Sequence, residues 1–538
     1  MAEGAAPAEE AAEPDADQLQ PGTLMALVAM ALGIFVIAND FTALNVALPA
    51  IEKDYDVDVG SVQWVINAYA LVFGMAIVSG GRLADMFGRR RIFFIGSAFF
   101  AGFSALGAVA PDLGVLIAAR VGMGVGGALM WPAILGMTFA ALPESKAGLA
   151  GGLVLGVAGV GNAVGPLLGG ALTEAIDWRA IFVLNIPVAA FACLVTAKYV
   201  HQEEDLKKER IDYAGMASIS AGLVLLLLAL DQSVDWGWGD WRVIAMLVLS
   251  VFLLASFTRI EKRAGDSALL PPDVIANQRF RYCCLIVLLI SAVFFSAVLY
   301  VPQFYEKILG YTAVQAGLGM LPMMGAFAAT SFLAGPLYDR IGAKRVVGGG
   351  AGFIAVGTLM LGAFIGPDAD LLSVGPALLV IGIGCGLLYP SVTTAAVTAL
   401  DAARASLAGG VVYMFQIAGG AVGLGAATTI FTMRSEHVLD HDALAKGVDL
   451  TEHQQAVLHG DLAGTDTAAD ALAQLPTAAR DTITTIVQDS FATGVQTSFR
   501  IIGVVAVIGF LVAVFGLGRT TDPEPAADPS PTPEPAGA

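Results

Sequence analysis

Ionisable side chains are scarce in the apolar stretches of this sequence, and two of them carry opposite charges: Asp40 in "VIANDFTALNVALP" and Arg120 in "AARVGMGVGGALM". A charge held inside an apolar run is costly, so each marks a functional position by default. Burial and a neighbouring guanidinium pull the protonation of a carboxyl in opposite directions, so a change of conformation can load or release a proton. Asp40 is therefore a candidate proton carrier. A structural ion pair with Arg120 is the competing reading, and the two are compatible.

A second chemistry is electrostatic latching. In "GGRLADMFGRRRIFF" (80–94) Asp85 precedes Arg89 by four residues, acid before base, which predicts a pair on one helical face while glycines such as Gly81 and Gly88 make the turn. "GPLYDRIGAKR" (335–345) nearly repeats it: Gly335, Leu337, Asp339, Gly342 and Arg345 match Gly81, Leu83, Asp85, Gly88 and Arg91, and Lys344 meets Arg90. Such clusters suit a gate that latches in one state and releases in another. For Arg90 and Arg91, anchoring of topology is an equally good account.

The elements that must position these groups are membrane spans. The chain is 57% hydrophobic and 14% charged over 538 residues, with a mean hydropathy of +0.75, too apolar for a soluble domain. Runs of about 20 apolar residues are each long enough to cross as a helix, and the alternating ten-residue pattern of a barrel is absent. Fourteen spans are expected, at 23–48, 60–80, 92–110, 113–137, 146–173, 179–199, 213–230, 241–258, 282–304, 314–337, 345–366, 371–397, 405–432 and 497–518. Asp40 in span 1 and Arg120 in span 4 then lie at a similar depth, roughly 10 to 12 Å from one surface. Most lysines and arginines fall in the loops on the side of both termini, which predicts cytoplasmic termini.

A repeat organises the spans. The two charge clusters are 254 residues apart, while "AGLAGGLVLGVAGVGNAVG" from 147 and "WPAIL" from 131 align with "ASLAGGVVYMFQIAGGAVG" from 405 and "YPSVT" from 389 at a register of 258. Spans 1–6 thus correspond to spans 9–14 in the same orientation, and spans 7 and 8 form an inserted hairpin. Parallel halves of this kind belong to transporters with a midplane site opened alternately to each side. The expected divisions are an acidic disordered cytoplasmic tail (1–22), a first six-helix half (23–200), the inserted hairpin with its cytoplasmic flanks (201–281), a second half (282–518) and a disordered cytoplasmic tail (519–538). The second half contains an extracytoplasmic loop at 433–496, in which Ile483, Ile486, Val487 and Phe491 predict a short amphipathic element on the membrane or capping the protein.

Other signals bound the function. The net charge of −18 argues against a nucleic-acid partner. Cys193, Cys283, Cys284 and Cys385 lack metal-type spacing, and no metal site or cofactor is expected. All five histidines lie outside the apolar spans, which argues against a membrane enzyme, and no GxxxxGK[ST] loop is present, which argues against ATP as the energy source. Span 5 carries glycines at spacing four, Gly148, Gly152 and Gly156, then Gly161, Gly165 and Gly169, which permit close helix approach, with Pro166 able to bend the helix. Asn45, Asn67, Trp131, Asn162, Asn185, Gln303, Tyr389, Tyr413 and Gln416 are candidates for a substrate cavity, or equally for helix packing.

With these residues in view, the sequence resembles the major facilitator superfamily, and within it the fourteen-helix drug:proton antiporters, over about 23–518. "GGRLADMFGRRR" is similar to the family's loop 2–3 signature, "GPLYDRIGAKR" to its weaker copy, and "NDFTALNVALP" to the helix 1 signature with Asp40 at the acid position. "RVGMGVGGA" resembles the helix 4 signature, which would place Arg120 at the arginine implicated in proton transfer, with Met123 where glutamine is usual. "GNAVGPLLGG" resembles the antiporter signature of helix 5, involving Gly161, Gly165, Pro166, Gly169 and Gly170, which in the family accompanies export. The resemblance implies an all-α major facilitator fold, two six-helix pseudo-repeats plus two inserted helices, and no enzyme activity. It implies a monomeric, proton-coupled multidrug efflux antiporter of the bacterial cytoplasmic membrane, exporting small amphipathic molecules through the bilayer by alternating access, with the proton gradient as its energy source. A dedicated exporter of one natural product, antibiotic or lipid shares every feature.

Overall fold

A computed structural model describes residues 22–57, 59–200, 212–265, 268–367, 369–446, 458 and 477–517. The expectations for residues 1–21, 201–211 and 518–538, and for most of 447–476, lie outside the described residues. The first half holds α1 (Thr23–Tyr55), α2 (Val59–Phe87), α3 (Arg89–Ala108), α4 (Leu113–Ala140), α5 (Ala147–Ala175) and α6 (Arg179–Tyr199). The inserted pair is α7 (Tyr213–Trp236) and α8 (Trp241–Ala264). A short α9 (Pro272–Ala276) leads into the second half: α10 (Gln278–Lys307), a short α11 (Ala313–Gly319), α12 (Leu321–Ile341), α13 (Ala343–Phe364), α14 (Leu371–Val397), α15 (Ala405–Ala445) and α16 (Thr477–Gly516).

Thirteen of these helices are long and apolar enough to cross a membrane. α12 has comparable length, but Pro322, Thr330, Ser331 and Pro336 dilute its apolar character, as expected of a helix packed against protein on several sides. Polar caps set the helix starts: Asp112, Asp212, Asp240, Asn277 and Asp370 each accept a backbone N–H from the first turn they precede. Gly88 and Gly342, at φ +97° and +81°, break the chain between α2 and α3 and between α12 and α13, a conformation other residues adopt only with strain.

Packing repeats between the halves. α1 lies on α5 and α6, α2 and α3 on α4, and α3 on α6; in the same way α10 lies on α15 and α16, α12 and α13 on α14, and α13 on α16. The halves meet at two equivalent seams, α2 against α15 and α5 against α12. The inserted hairpin sits on one of them: α7 packs on α2 and α15, with Ser220 Oγ donating to Met75 O at 3.1 Å. α8 is tied to α7 by Ser250 to Gly222 O at 2.7 Å and by Ser218 to Leu253 O at 2.8 Å.

The structure corrects the expected outer element. Ile483, Ile486 and Phe491 do not belong to a separate surface helix; they begin a continuous 40-residue helix and are buried. Phe491 meets Phe431 of α15 ring to ring at 5.1 Å. α15 itself runs 41 residues, so both helices, about 60 Å long at 1.5 Å per residue, extend well past the hydrocarbon.

Candidate functional site

The first half is organised around Asp40 and Arg120, both fully buried. Arg120 Nη1 donates to Asp40 Oδ2 at 2.5 Å, and Arg120 Nε donates to Val65 O of α2 at 2.7 Å. The other carboxylate oxygen accepts from Asn185 Nδ2 of α6 at 2.8 Å. Asn185 also reaches Ser104 Oγ of α3 at 3.3 Å, and Ser104 donates to Phe182 O at 2.8 Å. The Tyr69 ring of α2 faces the guanidinium, 4.2 Å from its centroid, a cation–π contact.

One carboxylate thus joins α1, α4 and α6 directly, and α2 and α3 through its partners. Among the described residues, Arg120 Nη2, Asn185 Oδ1 and Tyr69 Oη are buried without hydrogen-bond partners, so the cluster holds unused polar capacity. Tyr69 and Ser104 carry no sequence signal, and Asn185, a cavity candidate by sequence, is a partner of Asp40. A lone asparagine in "FVLNIP" gains meaning only when α6 is folded onto α1 and α3.

The charge clusters sit at one end of the bundle, the basic end, and do something their spacing did not announce. Asp85 and Arg89 bond at 3.2 Å, but across the Gly88 break, with Arg89 opening α3, and not on one helical face. Asp85 Oδ2 also accepts from Leu407 N at 2.8 Å and its Oδ1 from Ser406 N at 3.3 Å. It therefore caps α15, a helix of the opposite half, where the positive end of the helix dipole favours an anion. Arg89 Nη1 donates to Gly136 O at 3.2 Å and Nη2 to Ala402 O at 2.6 Å, fastening both halves.

The pseudo-equivalent acid acts in the mirror direction. Asp339 Oδ1 accepts from Gly148 N at 3.0 Å, capping α5 of the first half. Arg90 stays within its own half, donating to Ala197 O at 2.9 Å, and Lys344 is exposed. The seams close tightly around both acids. A Cβ on Gly81 would lie 2.6 Å from Ser406 O, and one on Gly335 2.6 Å from Gly148 O. Gly81→Ala is accordingly expected to disfavour this closed arrangement by about 1 to 3 kcal/mol. Distances between spin labels across the basic end should then report a larger open fraction than in the unsubstituted protein.

The two glycine runs of α5 face different neighbours. Cβ atoms at Gly148, Gly152 and Gly156 would meet α12, whereas those at Gly161, Gly165 and Gly169 would meet α1 at Ala38, Thr42 and Ala43, beside Asp40. Gly170 has ordinary room against Val46, and α5 stays helical through Pro166. Between the halves, Trp131 of α4 packs on Tyr413 of α15 with centroids 4.6 Å apart, and Phe73 of α2 lies edge-on to both. Tyr389, the counterpart of Trp131, bonds Ser291 at 3.2 Å and meets Phe294 and Phe327. Asn45 is exposed and bonds its own helix at Phe41 O, while Asn67, Asn162, Gln303 and Gln416 are half-buried.

The family model of the Major Facilitator Superfamily matches residues 30–424. The chain belongs to the major facilitator superfamily. As a member of this superfamily it is a multi-pass membrane transporter. It is 34% identical over 438 residues to the puromycin resistance protein pur8 of Streptomyces alboniger, spanning 80% of this chain and 86% of the relative. To the tetracenomycin C resistance and export protein of Streptomyces glaucescens it is 28% identical over 520 residues, 95% and 94% of the two chains. To the multidrug resistance protein Stp of Mycobacterium tuberculosis it is 33% identical over 404 residues, 74% of each. In fold it is similar to the human organic anion transporter MFSD10 (TETRAN), with a TM-score of 0.61 at 13% identity over 92% of this chain and all of that one. A double-Trp mutant of XylE gives a TM-score of 0.57 at 14% identity over 92% and 96%. The superfamily's parallel halves are thus present with an inserted helical pair.

Proposed function

We propose that this chain is a proton-driven exporter of small amphipathic molecules in a bacterial cytoplasmic membrane, with both termini and the basic end in the cytoplasm. The observation that carries the reading is the sealed Asp40–Arg120–Asn185 cluster inside a bundle whose basic end is latched shut. With the latch closed, cargo has its exit on the opposite side. Protonation of Asp40 from that side removes the charge that holds Arg120, loosening α1, α4 and α6 together. The Gly161–Gly169 face of α5 rests on α1 beside Asp40, and the Gly148–Gly156 face of α5 forms a seam with α12. Relief at Asp40 therefore reaches the inter-half seam through one helix, and the latch opens inward. Loss of the proton to the cytoplasm restores the pair and closes the latch around new cargo.

Neutral aromatic rings, Trp131, Tyr413 and Phe73, meet between the halves, which suits flat amphipathic cargo bound without a counter-charge. Trp131→Ala is expected to weaken binding of an aromatic dye about tenfold by loss of ring contact, with proton-driven transport of small non-aromatic cargo less affected. Equilibrium fluorescence titration of the purified protein reads this directly; equal loss for both cargo types contradicts it.

The primary experiment uses inside-out vesicles given an acid interior and an external dye. Uptake should follow the imposed proton gradient, collapse with a protonophore and ignore ATP. Uptake that survives the protonophore sinks the reading. Relatives named for single antibiotics stand beside one named for multidrug resistance, so a dedicated exporter is the second reading. Resistance to one compound only, across a panel of unrelated ones, would favour it.

A further inference from the structure

The inserted hairpin carries a buried acid that the transport cycle above does not use. Glu261, near the basic end of α8, is 2% exposed. Its Oε2 accepts from Leu270 N at 2.9 Å, while its Oε1 is buried with no hydrogen-bond partner among the described residues. Asp212 has the same imbalance: Oδ1 caps α7 by accepting from Gly215 N at 2.8 Å, and Oδ2 is buried without a partner among the described residues. The two orphan oxygens face one small space. A Cβ built on Gly215 would lie 2.4 Å from Asp212 Oδ2 and 2.7 Å from Glu261 Oε1, so only glycine leaves that space open.

Among the described residues, the charged groups that act on Glu261 from neighbouring elements are Asp212 at the start of α7 and Arg82 of α2; on its own helix the adjacent Lys262 and Arg263 are exposed. A carboxylate oxygen buried without a donor is expensive, and two that share a space repel as well. One proton removes both penalties. It turns one carboxyl into a donor and leaves the other as its acceptor, and the pair then carries a single negative charge beside the Arg82 guanidinium.

We propose that Glu261 and Asp212 form a second proton-binding site, separate from Asp40, which holds one proton between Glu261 Oε1 and Asp212 Oδ2. Because Arg82 lies one turn before Asp85 on α2, occupancy of this site sets the charge that the hairpin presents to the helix that carries the latch. Loss of the proton leaves two carboxylates pressed together, which parts α7 from α8 at that end and strengthens the pull on Arg82. The site thereby makes transport sensitive to pH at the basic face, independently of proton coupling at Asp40.

Infrared titration of the full-length protein in lipid nanodiscs tests this directly. A titrating carboxylic-acid C=O band is expected in the wild type and should be missing in Glu261→Gln. In Asp212→Asn the band should remain, but with its midpoint lowered by about one pH unit, because a neighbouring negative charge is gone. In vesicles, Glu261→Gln should retain gradient-driven transport with a flattened dependence on pH at the basic face. The proposal is overturned if every titrating band persists in Glu261→Gln, if the Asp212→Asn midpoint is unmoved, or if the pH profile of Glu261→Gln matches wild type. Asp212→Asn keeps the test decisive should Glu261→Gln fail to fold.

Discussion

Asp40→Asn is expected to abolish accumulation of cargo against a gradient while leaving downhill exchange of cargo measurable. The substitution removes the acid that pairs with Arg120, so two effects arise together and must be separated. Arg120 is fully buried and its Nη2 already lacks a hydrogen-bond partner among the described residues. Leaving that guanidinium uncompensated costs about 3 to 5 kcal/mol, which should appear as a marked fall in melting temperature. Arg120→Gln should destabilise comparably by stranding the carboxylate. The double variant Asp40→Asn/Arg120→Gln replaces a buried ion pair with a neutral amide pair of similar shape and should recover most of the lost stability. It should not recover coupling, because nothing remains there to carry a proton. Thermal melts of the three variants with vesicle transport assays distinguish the cases. A double variant that again drives accumulation would show the proton travels elsewhere.

How far the sequence could be read depended on what each signal measures. Hydropathy measures membrane thickness, so it located the inserted hairpin and the spans other than 314–337, which is divided at Met320 between α11 and α12; it also missed that α15 and α16 continue as helices into polar sequence, to Ala445 and from Thr477. Charge in apolar surroundings is conspicuous, so Asp40 and Arg120 could be placed at a common depth. Asn185 and Ser104 complete that cluster with uncharged groups on α6 and α3; Asn185 stood out only as a polar residue in an apolar run, with no sign of its partner, and Ser104 leaves no trace in composition or period. The repeat aligned Asp85 with Asp339 and the start of α5 with that of α15. It could not reveal that each acid reaches into the other half, because a register relates equivalent positions and says nothing of partners. The i,i+4 spacing of Asp85 and Arg89 suggested a helical pair; the positive φ of Gly88 turned it into a bridge between two helices.

Those crossed contacts lead to the second large effect. Asp85→Asn is expected to release the basic end far more than Asp339→Asn does, although the two positions are equivalent by repeat. The Asp85 side chain is 3% exposed, caps two amides of α15 and holds Arg89, which in turn binds α4 and the segment before α15. Its charge is therefore screened little, and charge-assisted hydrogen bonds together with the α15 dipole should contribute about 2 to 3 kcal/mol to the closed state. Asp339 lies exposed, caps α5 and has no comparable arginine in its contacts among the described residues, so water competes for it and about 0.5 to 1 kcal/mol is expected. Both substitutions act on one rigid-body equilibrium in which the two seams open together, so their free energies should add in the double variant. Spin-label distances across the basic end should show the open fraction rising by roughly 30- to 150-fold for Asp85→Asn and a few-fold for Asp339→Asn. Cargo binding from the cytoplasmic side should be retained while turnover falls, since the step that recloses the latch has lost its driving contact. Equal effects of the two substitutions, or loss of cargo binding in Asp85→Asn, would contradict a latch built from reciprocal helix caps.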